Sequence, residues 1–231
     1  MFVYQKGKAE NLIKSRHLKQ LQIMKKIITL IAIAAIAAQT VQAQKSSFGF
    51  TAGATLSKIT AKMEGVSISF QSKIGFTAGV AGDIPMGKDF SFMPALNFVQ
   101  KGSKTKQESY ESTVSLNYIE IPLNFVYRVP GKSGHLFIGA GPSVAYGISG
   151  KTKSNDPMDP GDVKVKFGSS ADDDFKPLEL AANLLLGYQF KNGFNIAANY
   201  NLGLNNISTE EGFKGHNNYF GLRLGMMLSG K

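Results

Sequence analysis

Tyr118, Glu120, Asn124 and Arg128 sit at even spacings within one stretch of the chain, and Glu179 and Arg223 stand in two later stretches. Two carboxylates, two guanidinium groups, a phenol and a carboxamide form a set that serves either chemistry or scaffolding. If the stretches are strands, period 2 puts all six side chains on one face. On the enclosed face of a small closed sheet, charges need partners, because an isolated buried ion is costly. A lumen network of ion pairs is the favoured reading, and a narrow gated pore or small polar site is the alternative.

A second group joins His216 to Ser208, Glu210 and Glu211. A hydrolase or acyltransferase needs a nucleophile and a base within hydrogen-bond reach, and this is the one stretch that offers the residue types together. A solvated loop histidine accounts for the pattern more simply, so no catalytic residue is assigned. Asp156, Asp159, Asp162 and Asp172 to Asp174 make another stretch acidic. Their spacing lacks the Asp-x-Asp-x-Asp-Gly pattern and the closing Glu of a calcium loop. A solvated, flexible loop is predicted there, with no metal and no cofactor. The chain has no cysteine, which excludes disulfides, thiolate metal sites and a lipidated cysteine.

The elements that must position these groups are short runs with an apolar residue at every second place. Leu178, Leu180, Ala182, Leu184, Leu186, Tyr188 and Phe190 alternate with partners that include Glu179, Asn183 and Gln189. Strands are predicted at about 48–57, 73–82, 90–102, 113–129, 135–148, 176–190, 193–203 and 217–228. Their connections alternate long and short, as in transmembrane barrels with short periplasmic turns and long external loops. Lys191-Asn192-Gly193 carries the Asn-Gly hairpin signal, and 130–134 is rich in turn formers. Tyr and Phe residues, Tyr219 among them, fall toward strand ends and suggest interfacial belts. Glycines are largely on the inward parity, and Pro122, lacking a donor, predicts a bulge. The fold expected is an all-β, eight-stranded antiparallel up-and-down transmembrane barrel over residues 44–231. A soluble periplasmic barrel that binds an apolar ligand has the same period and is kept as an alternative.

Lys25 and Lys26, the apolar run from Ile27 to Ala38 and the small residues Val41-Gln42-Ala43 have the three parts of a cleaved signal peptide, residues 24–43. The run is well short of the roughly 20 residues of a spanning helix. Residues 1–23 read as an upstream mis-start or leader, with Met24 as the true start. Seven of the 26 Lys and Arg and one of the 16 acids precede Gln44, so the remainder carries a net charge of +4. Its lysines are scattered, which excludes a nucleic-acid surface.

The run Phe92-Met93-Pro94-Ala95-Leu96-Asn97-Phe98-Val99-Gln100-Lys101-Gly102, followed by Leu116-Asn117-Tyr118-Ile119-Glu120-Ile121-Pro122-Leu123, resembles the PorT-like outer-membrane β-barrel family. Gly139-Ala140-Gly141-Pro142 and Gly203-Leu204-Asn205-Asn206-Ile207-Ser208 also resemble that family's sequences. The resemblance implies a small barrel in the outer membrane of Gram-negative bacteria. One branch of the family assists secretion and gliding, and the motifs do not assign the chain to it. Contacts with outer-membrane lipids and with the barrel insertion machinery are expected. The chain ends Met226-Met227-Leu228-Ser229-Gly230-Lys231 rather than on an aromatic residue, a departure that argues against efficient insertion by the usual route. The function expected is structural or interactive, through long external loops. Ser149 to Phe175 is the stretch expected to meet an envelope or surface protein. A barrel enzyme acting on lipid or peptide and a secretion accessory are the further alternatives.

Overall fold

Alternation of side chains gives each stretch an oily and a polar face, and a sheet that curls until its edges meet separates the two completely. The computed structural model describes residues 46–229 apart from 64–65, 108–109, 157–158, 171 and 211, so the leader and signal peptide lie outside the described residues. The strands are β1 (Ser47–Met63), β2 (Val66–Ser69), β3 (Gln71–Pro85), β4 (Phe90–Gln107) and β5 (Tyr110–Pro130). They continue as β6 (Gly134–Asp156), β7 (Asp159–Val165), β8 (Leu178–Phe190), β9 (Phe194–Gly203) and β10 (Phe213–Ser229). All pair with antiparallel neighbours in one sheet, and β1 pairs with β10 from Ser47 opposite Ser229 to Met63 opposite Phe213. The sheet is therefore a closed ring.

β2 and β3 share one stave against β1, and β7 is a short return against the outer end of β6. Among the described residues the ring has eight staves, as the periodicity predicts. Outward side chains such as Phe50, Phe76, Phe125, Ile138, Leu184 and Leu222 are exposed, while Asn97, Lys101, Glu120, Glu179 and Asn201 are buried inside. Ile74 is 75% exposed and Lys101 0%. That is the reverse of a water-soluble protein, and it matches a ring whose solvent is lipid.

The turn end is built as expected. Tight connections join β3 to β4, β5 to β6 and β8 to β9, and Gly193 after Asn192 has φ of +88°. Replacing Gly193 with Ala is expected to cost about 1–2 kcal/mol, since an L side chain is strained there, and a lowered urea midpoint would report it. Inside the ring, Gly187 leaves the space taken by the Phe137 ring, which packs with Val126 and Ala197.

Three expectations need correction. The outer connections are largely strand: β4 and β5 stay paired as far as Gln107 opposite Tyr110, and β6 runs 23 residues, with β7 paired back against it. Hairpin pairing extends beyond the membrane because cross-strand hydrogen bonds continue wherever a partner strand runs alongside. The register shift between β5 and β6 lies at Asn117–Tyr118, where β6 carries the extra residue Ile148, and not at Pro122, which keeps register with Ser143. A proline omits a rung without inserting a residue. Tyr219, expected in an interfacial belt, is 1% exposed and faces the lumen with Asn217 and Arg223.

Candidate functional site: a charge-balanced layer across the lumen

The lumen is filled in layers. Nearest the outer mouth, Ile59, Leu116, Tyr118 and Ala145 pack against Phe70, Val114, Val165, Phe167 and Phe175. The Phe167 ring meets Tyr118 edge-on at 5.7 Å between centroids. This apolar plug draws on segments that read from sequence as solvated loops. Its return segment is pinned where the Lys176 amide donates to Ile207 O at 2.7 Å and where Phe175 bridges Ser208.

Below the plug lies the ionic layer. Lys101 on β4 reaches across the ring to carboxylates from β5 and β8: its Nζ donates to Glu179 Oε1 at 2.6 Å and lies 2.9 Å from Glu120 Oε2. The second contact is ionic and not a well-aimed hydrogen bond. The ammonium also sits 5.1 Å from the Tyr118 ring centroid and 5.0 Å from that of Tyr219, within cation–π range. Asn217 Nδ2 donates to Glu179 Oε2 at 2.8 Å and to Tyr118 OH at 3.2 Å. Tyr219 OH donates to Glu120 Oε1 at 2.6 Å, and Arg223 Nη2 donates to Tyr219 OH at 3.0 Å. Arg223 Nη2 is 3.9 Å from Glu120 Oε1. Two cations thus balance two carboxylates in a region closed to solvent, the condition under which buried charge is tolerated.

The six residues singled out from sequence divide among three places. Tyr118, Glu120, Glu179 and Arg223 meet in the ionic layer. Asn124 lies one layer lower, in a relay where Asn183 Nδ2 donates to Asn124 Oδ1 at 2.9 Å and Asn199 Nδ2 to Asn183 Oδ1 at 3.1 Å. Arg128 takes no part in either and pairs with Asp83 near the turn end. Four strand positions, about 13 Å, separate Glu120 from Asn124 on β5, farther than one side chain spans. A cavity of about 50 Å³ lies beside the asparagine relay, bordered by Thr51, Phe137, Asn195 and Arg223.

Lys101, Asn217 and Tyr219 are members that sequence reasoning missed. Their signal was parity: Val99, Lys101 and Ser103 are all buried, as are Asn217, Tyr219 and Arg223. The second candidate group does not assemble. His216 pairs in register with Thr60 and has the opposite parity to lumen-facing Asn217, and Ser208 Oγ accepts from the Glu210 amide at 3.1 Å. No hydrogen bond joins His216 to Ser208 or Glu210 among the described residues, and Glu211 lies outside them. Among the loop acids, Asp162 pairs with Lys151, while Asp173 and Asp174 accept backbone amides of Ser170 and Lys166.

A closed ring with an apolar exterior and a charge-balanced interior is the design of an outer-membrane barrel, and residues 38–209 match the family described as outer membrane protein beta-barrel domain. The chain belongs to this family. This outer-membrane β-barrel resides in the bacterial outer membrane, and its exposed apolar band meets lipid. The soluble periplasmic alternative, which required a polar exterior, is thereby excluded. Among solved structures, Neisserial surface protein A is 14% identical with a TM-score of 0.45, covering 81% of this chain and 100% of its own. OprG from Pseudomonas aeruginosa is 11% identical with a TM-score of 0.49, covering 80% and 97%. Ail of Yersinia pestis is 14% identical with a TM-score of 0.42, covering 80% and 100%. No curated protein sequence matches the barrel.

Proposed function

We propose that this barrel is a non-catalytic scaffold of the Gram-negative envelope that presents its outer hairpins to an envelope or surface protein, with Ser149 to Phe175 as the contact segment. The observation that carries the reading is the folding of that segment. β6 and β7 project as a paired hairpin, and the return through Phe167 and Phe175 covers the mouth. An ordered surface costs less entropy to bind than a mobile loop, and a covered mouth leaves no route to the ionic layer for substrate or solute. The motifs around Phe92–Gly102 and Leu116–Leu123 favour the PorT-like subfamily, and a secretion accessory role is the finer reading within it.

The test uses the whole barrel, once as it stands and once with residues 149–175 replaced by a scrambled segment of equal composition. Crosslinking in intact cells is expected to enrich an envelope or surface protein with the first and not with the second. In planar bilayers the purified barrel is expected to leave the baseline current unchanged. Equal capture by both forms, or steady conductance, would refute the scaffold reading.

A further inference from the structure

Beyond the lipid-facing band the outward faces of β4, β6 and the return strand β7 change from oily to basic. On β6 the exposed outward side chains include Ile138, Val144, Tyr146 and Ile148. Further out, Gly150 faces Leu116 and Val165 on the inside, so Lys151 and Lys153 face outward. The register places Lys153 between Thr113 of β5 and Asp162 of β7, with Lys104 of β4 next along that row, and sets Lys151 beside Lys164. Lys106, on the same parity as Lys104, completes a group of five lysines.

Two acids temper this group. Lys104 Nζ donates to Glu111 at 2.8 Å, and Lys151 pairs with Asp162. Those hydrogen bonds from lysine hold both carboxyls below their ordinary values, so the two pairs stay formed in neutral solution. Lys106, Lys153 and Lys164 form no ion pair among the described residues. Among the described residues this outward face therefore sets five lysines against two carboxylates, with Lys106 also acting on Glu111 and Lys153 on Asp162.

We propose that this face binds the phosphate-bearing headgroup of an outer-leaflet lipid. Its height in the membrane selects that occupant. Lys151 and Lys153 follow Ile148 by about 10–17 Å along the strand. Strand tilt and the reach of a lysine stem toward the interface bring their ammonium groups to the headgroup layer. One polar row, in which Gln100 donates to Asn117 and Asn117 to Ser149, separates the patch from the apolar band, and one lipid can span it with acyl chains on Val144 and Ile148 and its phosphate on the lysines. A soluble polyanion would use the charges and leave the exposed apolar side chains below them without a role.

The experiment titrates the purified, detergent-solubilised barrel with diphosphoryl lipid A, with phosphatidylglycerol and with dephosphorylated lipid A, reading bound lipid by native mass spectrometry. The variant K106Q/K153Q/K164Q is compared with K132Q/K191Q, which removes two lysines at the turn end. Each surface lysine near anionic lipid contributes about fivefold in affinity, so the triple variant is expected to bind phosphorylated lipid on the order of a hundredfold more weakly. The turn-end variant is expected to bind as the parent does, and dephosphorylated lipid to bind weakly to all. Closed barrels resist unfolding until heated, so a difference in electrophoretic mobility between unboiled and boiled samples certifies folding of each variant, and K153Q alone, with a fivefold loss, serves if the triple variant misfolds. Unchanged binding by the triple variant, equal loss in the turn-end variant, or equal binding of dephosphorylated lipid would overturn the proposal. Displacement of lipid by equimolar inorganic phosphate, or by a soluble sulfated polysaccharide, would overturn it in favour of a free-anion or polyanion site.

Discussion

Replacing Lys101 with Met is expected to destabilise the barrel by about 3–5 kcal/mol, the cost of leaving buried charge without its partner. Lys101 stands between two carboxylates that are each 1% exposed, on staves that come from different parts of the ring. Met fills a similar volume, so the loss is electrostatic and not a packing defect. Arg223 compensates poorly, because it approaches Glu120 only at 3.9 Å and no ion pair joins it to Glu179. Urea titration of the barrel folded into lipid vesicles measures the change. The companion variant K101M/E120Q/E179Q/R223M removes all four charges of the layer and is expected to recover most of the stability, as apolar or neutral replacements of buried ion pairs generally do. A loss of about 1 kcal/mol or less for Lys101→Met would instead mean that water screens the layer as it screens a surface pair.

Leu184→Arg is expected to cost about 2–4 kcal/mol, the penalty for a charge on the lipid face at the bilayer midplane. Leu184 lies in the middle of β8, opposite Ala140 and Tyr200, and is 58% exposed. In a water-soluble protein an Arg at so exposed a position would be almost without effect. Leu204, 59% exposed just beyond the outer end of β9, supplies the depth control. Arg there is expected to cost about 0–1 kcal/mol, because the interface tolerates it. Equal urea midpoints for the two variants would remove lipid from the account of the exterior.

Much of the architecture was legible because period 2 is a local property. Every second residue of β8 and β9 reports its face irrespective of what lies across the barrel, and turn chemistry at Asn192-Gly193 is equally local. The outer ends were less legible. Lys, Ser, Thr and Gly between Ser149 and Phe175 read as loop by composition, yet pairing with an adjacent strand carries such residues into β6 and β7. Context from a neighbouring strand overrides weak β preference. Phe167 and Phe175 were the overlooked sign, since aromatic rings within a polar stretch need somewhere to be buried.

By itself, the sequence determined the all-β class, the alternation of faces, the short turns and the inward parity of Tyr118, Glu120, Glu179 and Arg223. Those follow from the geometry of a single strand. Tertiary structure alone decided which of these residues meet. Ring closure through β1 and β10 and the stagger between staves bring Lys101 to Glu120 and Glu179, carry Tyr219 and Asn217 into the same layer, and leave Arg128 to Asp83 near the turns. Parity says whether a side chain faces the lumen, but its height there depends on strand tilt and register, which only the closed barrel sets.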